Sequence, residues 1–295
     1  MAGEAKVYLD YTQKELDDAF EQTVWAPNFE ALRDQNKVRC AEIRARFEHF
    51  ERRYGERKDE TLEILPTKQA PKDSRGAPVL LFVHGGRWRP QPDNMFVYFA
   101  DTVVNAGVHF VAARFATLDP STPTRMPDMI AELRRAVAWL AGNAASFGGD
   151  PSRIHVIGHS SGAHLTSVLL TTDWTRHGAP ADVLKSGTCV SGMYELRPVL
   201  LSARSAYVKL SPEEEDEFSA IRHLDRLLCP VTVAYGSKES PEFQRQGRSF
   251  AGALHARGLP CEELILPGLN HFEGIRSMIE PQSALARAVL RRLAG

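Results

Sequence analysis

Short apolar runs alternate with segments of helical periodicity along most of the chain. The apolar runs predict strands at residues 61–65, 79–85, 109–114, 154–158, 187–192, 231–236 and 262–266. Apolar residues at helical spacing predict helices at residues 128–144, 161–170, 241–256 and 281–293. Continuous apolar strands separated by amphipathic helices are typical of a mostly parallel sheet with helices on both faces. The pattern therefore predicts a protein of the α/β class.

The first sixty residues have a different character. They are rich in charge, and apolar residues at helical spacing between Pro27 and Gly55 predict a long helix. We therefore divide the chain into an N-terminal helical arm, residues 1–60, and an α/β domain, residues 61–295. Within that domain, residues 193–224 lie between two predicted strands and are expected to form a short cap-like insertion.

Two serines lie at one predicted strand-to-helix junction, in the stretch "IHVIGHSSGAHL". Gly-x-Ser-x-Gly between a strand and a helix is typical of a nucleophile elbow, in which a sharp turn exposes the serine above the edge of the sheet. Gly158 and Gly162 permit that turn, and Ser160 is the candidate nucleophile. A serine hydroxyl needs a base before it can attack, and the motif alone also fits a small-residue turn with a capping serine.

A second glycine motif, "LFVHGGRWRP", follows a predicted strand upstream of the serine. Two glycines after a strand allow backbone N–H groups to point into a cavity, where they stabilise the oxyanion of a tetrahedral intermediate. We predict an oxyanion hole formed by the N–H groups of Gly85, Gly86 and Ser161. A simple tight turn is the alternative for the glycine pair taken by itself.

These motifs, together with "AVAWLAGNAASFGGDPSRIHVIGHSSGAHL", "SPEFQRQGRSFAGAL" and "LNHFEGI", resemble those of α/β-hydrolases of the esterase and lipase type. The similarity is greatest to the branch that contains kynurenine formamidase-like (arylformamidase-like) serine hydrolases, and it extends over most of the chain. The resemblance implies an α/β-hydrolase fold and an acyl-enzyme mechanism. The resemblance also suggests that the protein could form a homodimer.

The base and the acid should follow the serine in the order serine, acid, histidine. His271, in the loop "ILPGLNHFEGI" after the last predicted strand, is the predicted base. The segment "GSKESPEF" offers two acids, Glu239 and Glu242. The related sequences usually have Asp immediately before Ser-Pro-Glu-Phe, where this chain has Glu239. We predict Glu239 as the acid, with Glu242 as the alternative.

Substrate contacts are predicted from residues near these motifs. The candidates are Arg87, Trp88 and Tyr194. Because arginine binds carboxylates in a bidentate manner, Arg87, with Arg89 and Arg114, suggests a negatively charged substrate. In the alternative interpretation, these arginines pair with acids at the surface and the aromatic residues pack in the core.

Composition narrows the possible partners and the location. The formal net charge is −1, which argues against a nucleic acid or an anionic membrane as partner. The first residues lack the pattern of a signal peptide, and the four cysteines are scattered, so we expect a cytoplasmic protein with reduced thiols. No cluster of potential ligands has metal-site spacing, and no metal or cofactor is expected.

Three functions remain open from the sequence. The first is a serine hydrolase that cleaves small carboxylic esters or N-acyl amides. The second is an arylformamidase specific for amides like N-formylkynurenine, since the same residues serve both reactions. The third is a non-catalytic ligand-binding protein on a hydrolase fold, which is disfavoured because serine, carboxylate and histidine all occur in the expected order.

Overall fold

An eight-stranded sheet forms the centre of the molecule in the computed structural model, which describes residues 5–69, 76–92 and 95–294. A two-stranded ribbon precedes it. In chain order the strands are β1 (Lys6–Tyr8), β2 (Tyr11–Thr12), β3 (Phe50–Arg53), β4 (Thr61–Leu65), β5 (Ala77–Val83), β6 (His109–Arg114), β7 (Gly149–His159), β8 (Leu184–Val190), β9 (Val231–Gly236) and β10 (Cys261–Leu266). The spatial order is β10-β9-β8-β7-β5-β6-β4-β3. The pairings of β4 with β3 and with β6 are antiparallel and the other five are parallel, which confirms the mostly parallel sheet.

Helices cover both faces of this sheet. They are α1 (Gln13–Phe20), α2 (Phe29–Arg46), α3 (Ala100–Asn105), α4 (Met126–Asn143), α5 (Ser161–Leu170), α6 (Arg197–Leu201), α7 (Pro212–Glu217), α8 (Pro241–Ala256), α9 (His271–Arg276) and α10 (Ala284–Ala294). Apolar side chains of α1, α4, α5 and α8 pack on one face. Those of α2, α3, α9 and α10 pack on the other. Successive residues of β5 alternate between the two clusters, as the pleat of a strand requires.

The predicted strands at 61–65, 109–114 and 231–236 and the predicted helices at 161–170 and 241–256 match the structure residue for residue. The remaining predicted strands and helices in the α/β part overlap observed elements with shifted ends. Strands that are buried on both faces are apolar at nearly every position, so a short apolar run identifies them well. Within the described ranges, no helix has both the length and the apolarity needed to cross a bilayer.

The N-terminal segment differs from the predicted long helix. Helix α2 ends at Arg46, and residues 50–53 form β3, which pairs antiparallel with β4 at the edge of the sheet. The sequence of β3, Phe-Glu-Arg-Arg, is exposed at three of its four positions, as is common for a charged edge strand. Residues 50–53 therefore lack the alternation of apolar and polar residues that predicts a strand. The sheet begins inside the segment that the sequence analysis assigns to the arm.

Candidate active site

Ser160 lies on a strained turn between β7 and α5. Its backbone has φ 57° and ψ −124°, a conformation that is unfavourable for a residue with a Cβ atom. The surrounding structure holds it there, since its N–H donates to the carbonyl of Val190 at 2.9 Å. A Cβ atom at Gly162 would overlap the carbonyl oxygen of Val83, and one at Gly158 would overlap that of Gly162. Both glycines are therefore required for this turn, as the motif predicts.

The predicted oxyanion donors surround Ser160. Gly85 lies so close that a Cβ atom there would come within 2.6 Å of the His159 carbonyl oxygen and 3.0 Å of Ser160 Cβ. Gly86 follows it with a φ of +122°, and both glycines line the same cavity as Ser160. Ser161 is the first residue of α5. Its N–H therefore has no acceptor within the helix and lies at the positive end of the helix dipole.

A hydrogen bond fixes the glycine loop to the elbow. The backbone N–H of Trp88 donates to Ser161 Oγ at 3.1 Å. The hydroxyl of Ser161 is thus engaged in structure, while its N–H remains the group predicted to bind the oxyanion. This contact joins two segments, residues 84–89 and 158–162, that the sequence predicted to act together.

Glu239 and His271 form a buried pair beside the same cavity. Nδ1 of His271 lies 2.8 Å from Glu239 Oε2, and the two side chains are 1% and 0% exposed. A carboxylate can only accept a hydrogen bond, so this contact assigns the Nδ1–H tautomer to His271 and leaves Nε2 as the basic nitrogen. The alternative acid, Glu242, instead pairs with Arg245 at 2.7 Å and accepts from Gln246 at 3.0 Å.

The second oxygen of Glu239 is held by two further donors. Oε1 accepts from the Ser191 hydroxyl at 2.7 Å and from the Gly236 N–H at 2.6 Å. Ser191 follows β8 with a φ of 57°, and its own N–H donates to Ala234 at 2.7 Å. Sequence reasoning missed Ser191. The only signal for it was a serine at the carboxyl end of a central strand, which many parallel sheets contain without such a role.

His159 supports the histidine of this pair. Its Nε2–H donates to the backbone carbonyl of His271 at 2.9 Å. Burial, together with the neighbouring His271, holds the pKa of His159 well below its ordinary value. His159 is therefore a neutral hydrogen-bond donor that positions the loop of His271.

Of the three predicted substrate-binding residues, one lines the cavity and two are buried outside it. Arg87 lines the cavity and pairs with Glu21 at 2.9 Å. Trp88 is buried with its indole N–H donating to His164 Nδ1 at 3.2 Å, and Tyr194 is buried in a stack on Phe250. Neither ring lines the cavity, and we do not retain either as a substrate contact.

Arg114 also lies elsewhere than the sequence suggested. It ends β6 and pairs with Glu51 at 2.9 Å, on the strand at the edge of the sheet. Because β6 pairs with β4 and β4 with β3, this ion pair belongs to that edge. The alternative interpretation, pairing with a local acid, applies to Arg114.

The N-terminal segment closes the cavity over the candidate residues. Side chains from this segment line it together with aromatic residues of β5, of the loop before α3 and of α9: Glu21, Gln22, Thr23, Phe29, Leu32, Arg33, Asn36, Phe82, Phe96, Tyr98 and Phe272. The Asn270 amide donates to Asn28 Oδ1 at 2.8 Å, and the Asn28 amide donates to Glu273 at 2.8 Å. The Ser240 hydroxyl donates to the carbonyl of Ala19 at 2.7 Å. The arm is thus bonded to residues adjacent to both Glu239 and His271.

The described residues contain no group of three or more His, Cys, Asp or Glu side chains arranged to hold a metal ion. The groups that lie around Ser160 are an imidazole, a carboxylate paired with it and backbone N–H groups. This donor set matches nucleophilic acyl transfer.

A mostly parallel sheet with this elbow is the α/β-hydrolase fold. The family model BD-FAE matches residues 65–184, the segment that contains the glycine loop and the elbow. The chain is similar to a kynurenine formamidase of Danio rerio, with 28% identity over 246 residues that cover 81% of this chain and 80% of that one. The chain is accordingly a hydrolase with kynurenine formamidases among its relatives.

Solved structures agree on the fold. A protein from Silicibacter sp. superposes with a TM-score of 0.79 at 22% identity, covering 94% of this chain and 99% of that one. An esterase from the archaeon Pyrobaculum calidifontis superposes with a TM-score of 0.66 at 18% identity, covering 90% and 91%. At these identities the likeness establishes the α/β-hydrolase architecture.

Proposed function

We propose that this protein hydrolyses small carboxylic esters or N-acyl amides through an acyl-enzyme on Ser160, with His271 as the base and Glu239 as the acid. One observation carries the proposal. The buried 2.8 Å contact between Glu239 and His271 lies beside a cavity that Ser160 also lines. A buried carboxylate bonded to one imidazole nitrogen is the arrangement that activates a serine nucleophile.

The proposed reaction has two halves. His271 Nε2 takes the proton of the Ser160 hydroxyl as its oxygen attacks the acyl carbon, and Glu239 stabilises the imidazolium that forms. The N–H groups of Gly85, Gly86 and Ser161 bind the oxyanion. The imidazolium then protonates the departing alcohol or amine, and water repeats the sequence on the acyl-enzyme, which restores the Ser160 hydroxyl.

An arylformamidase reaction is the second candidate. Two observations favour it: the name of the zebrafish relative and the aromatic lining of the cavity. Phe29, Phe96, Tyr98 and Phe272 supply flat apolar surface suited to an aromatic leaving group. Formamides and esters both present a carbonyl carbon to the serine hydroxyl, so one mechanism serves both substrates.

Hydrolysis of p-nitrophenyl acetate and of N-formyl-L-kynurenine by the wild-type protein and by Ser160→Ala tests this proposal. We expect the substitution to lower kcat by at least about 10³-fold, because the nucleophile itself is removed. A fluorophosphonate probe should label Ser160 and leave the adjacent Ser161 unmodified, as read by peptide mass spectrometry. The ratio of the two wild-type kcat/KM values chooses between esterase and formamidase.

Two results would contradict it. Activity of Ser160→Ala close to that of the wild type would exclude Ser160 as nucleophile. A folded wild-type protein that neither hydrolyses these substrates nor reacts with the probe would favour the non-catalytic binding protein. A cytoplasmic location, a small-molecule partner and a homodimer stay predictions.

A further inference from the structure

A second recess adjoins the catalytic cavity, and three arginine side chains line it. Arg87, Arg89, Arg204 and Tyr207 line this recess. Arg87 and Arg204 also line the catalytic cavity, so the two spaces share a wall. We call these four residues the arginine subsite.

Arg204 is the unusual member of the subsite. Its residue is only 5% exposed, yet no carboxylate of the described residues forms an ion pair with it. One terminal nitrogen donates to the carbonyl of Phe20, and the other contacts Met193 Sδ at 3.6 Å. The guanidinium also lies over two aromatic rings, 5.3 Å from the centre of Phe20 and 5.8 Å from that of Trp88.

A buried guanidinium without a counter-ion is unfavourable, because removing a charge from water is only offset by an opposite charge or strong hydrogen bonds. Burial lowers the pKa of Arg204 to about 10. Its five N–H groups form a planar fork that matches a carboxylate. The two contacts above leave further N–H groups of this fork for a ligand.

The rest of the subsite also has polar capacity to spare. The hydroxyl of Tyr207 is buried and has no hydrogen-bond partner. Arg89 is exposed and lies over the Tyr207 ring, 5.4 Å from its centre. Its guanidinium is directed to an aromatic face, which leaves its N–H groups available at the rim.

Two acids lie at the recess, and both have other partners. Glu21 accepts from Arg87 at 2.9 Å and from the Thr23 hydroxyl at 2.7 Å. Asp17 accepts from the backbone N–H of Ala203 at 2.6 Å. Three arginines therefore face two engaged carboxylates, and the recess carries an excess of positive charge.

We propose that the arginine subsite binds a carboxylate of the substrate, with Arg204 as the specificity-determining residue. This inference rests on the proposed hydrolysis at Ser160, since it names the substrate class of that site: an ester or amide with a carboxylate on its acyl or its leaving portion. A substrate held at both Ser160 and Arg204 is fixed at two points, which orients the acyl carbon. It also supplies the counter-ion that Arg204 lacks.

Two matched pairs of esters test the proposal. For the acyl portion the pair is p-nitrophenyl butyrate and mono-p-nitrophenyl succinate, which have four-carbon acyl groups. For the leaving portion the pair is phenyl acetate and 3-carboxyphenyl acetate. We expect the wild type to favour the carboxylate member of at least one pair by about tenfold or more in kcat/KM, and that pair identifies the portion that reaches the subsite.

Arg204→Met removes the charge and keeps an apolar stem against Phe20. We expect it to lower the ratio of carboxylate to neutral efficiency by about 10–100-fold, the effect of losing hydrogen bonds between charged groups. Arg204→Lys should fall between, since it keeps the charge without the fork. Arg176→Met is the matched control, because Arg176 is exposed, pairs with Asp173 at 3.7 Å and lies outside both cavities.

Tyr207→Phe covers the case in which Arg204→Met does not fold. It deletes only the unpartnered hydroxyl, and we expect it to lower the same ratio by about 3–10-fold. Equal efficiencies for both members of both pairs in the wild type would overturn the proposal. An Arg204→Met variant that thermal unfolding shows to be folded, and that keeps the wild-type ratio of carboxylate to neutral efficiency, would also overturn it.

A binding measurement separates this proposal from the proposed function. Benzoate should raise the Tm of the wild type more than benzamide does, and Arg204→Met should abolish the difference. If the wild type hydrolyses neither these four esters nor N-formyl-L-kynurenine, the proposed function fails, and the benzoate result still decides the subsite. Equal effects of benzoate and benzamide on the wild type would contradict it.

Discussion

Shortening the side chain at position 239 by one methylene tests whether the acid is fitted to its surroundings. Glu239→Asp keeps the charge but withdraws the carboxylate by about 1.5 Å, the length of one C–C bond. Three donors now lie 2.6–2.8 Å from its oxygens: Gly236 N–H, the Ser191 hydroxyl and His271 Nδ1. A retreat of that size takes all three beyond hydrogen-bonding distance unless the backbone follows.

The size of the effect follows from these contacts. A hydrogen bond to a charged group contributes about 1.5–3 kcal/mol, and each 1.36 kcal/mol in the barrier is about tenfold in rate. If the backbone moves enough to restore all but one bond, Glu239→Asp should lower kcat by about 10–150-fold. Glu239→Gln keeps the length and loses the charge, and about 10³–10⁴-fold is expected from loss of the correct imidazole tautomer.

The assay is kcat and KM for p-nitrophenyl acetate, with thermal unfolding of each variant as the control for folding. Ser191→Ala serves as a third variant, because it removes one of the three donors and leaves the carboxylate in place. We expect it to lower kcat about tenfold with little change in KM. Aspartate at position 239 with wild-type kcat would refute the claim that these donors are spaced for glutamate. Full activity of Glu239→Gln would exclude Glu239 as the acid.

Two further predictions concern stability. Gly162→Ala should lower the free energy of unfolding by about 3 kcal/mol or more, because its Cβ atom would overlap the Val83 carbonyl. Gly252 lies in α8 with open space around it, so Gly252→Ala should raise the free energy of unfolding by about 1 kcal/mol. Urea unfolding that ranks the two variants in the reverse order would contradict this packing. Burial lowers the pKa of His164 to about 4 from 6.5, so the unfolded chain binds a proton there below pH 6.5 and the folded chain does not. The contribution of His164 to the free energy of unfolding should therefore be fully present above pH 6.5 and decrease by about 1.4 kcal/mol per pH unit toward pH 4. Urea titrations in which His164→Gln has the same pH slope as the wild type would count against this prediction.

The elements around Ser160 are predictable from sequence because their signals are local. A strand buried on both faces, two glycines and an apolar helix follow one another within residues 154–170, and each restricts the conformation of its own segment. The same locality identified the glycine loop at Gly85 and Gly86.

The parts that sequence reasoning missed depend on distant partners. Tyr194 is an aromatic residue in the insertion, and only its stacking on Phe250 reveals that it belongs to the core. Ser191 gains its role from a residue 48 positions later in the chain. Arg204 resembles any surface arginine until Phe20 and Trp88 are seen to enclose it. No periodicity records such contacts.

The bonds from Asn28 to Asn270 and Glu273 join residues 242 and 245 positions apart, which has a consequence for how the protein is made. The arm leaves the ribosome among the early segments, whereas the residues that fasten it are among the last to be synthesised. Until then Phe29 and Leu32 lack the wall that they complete, and loop closure over such a separation is slow. The reaction chamber is thus expected to assemble late, after the sheet, and the nascent arm is the segment most exposed to misassembly before that point.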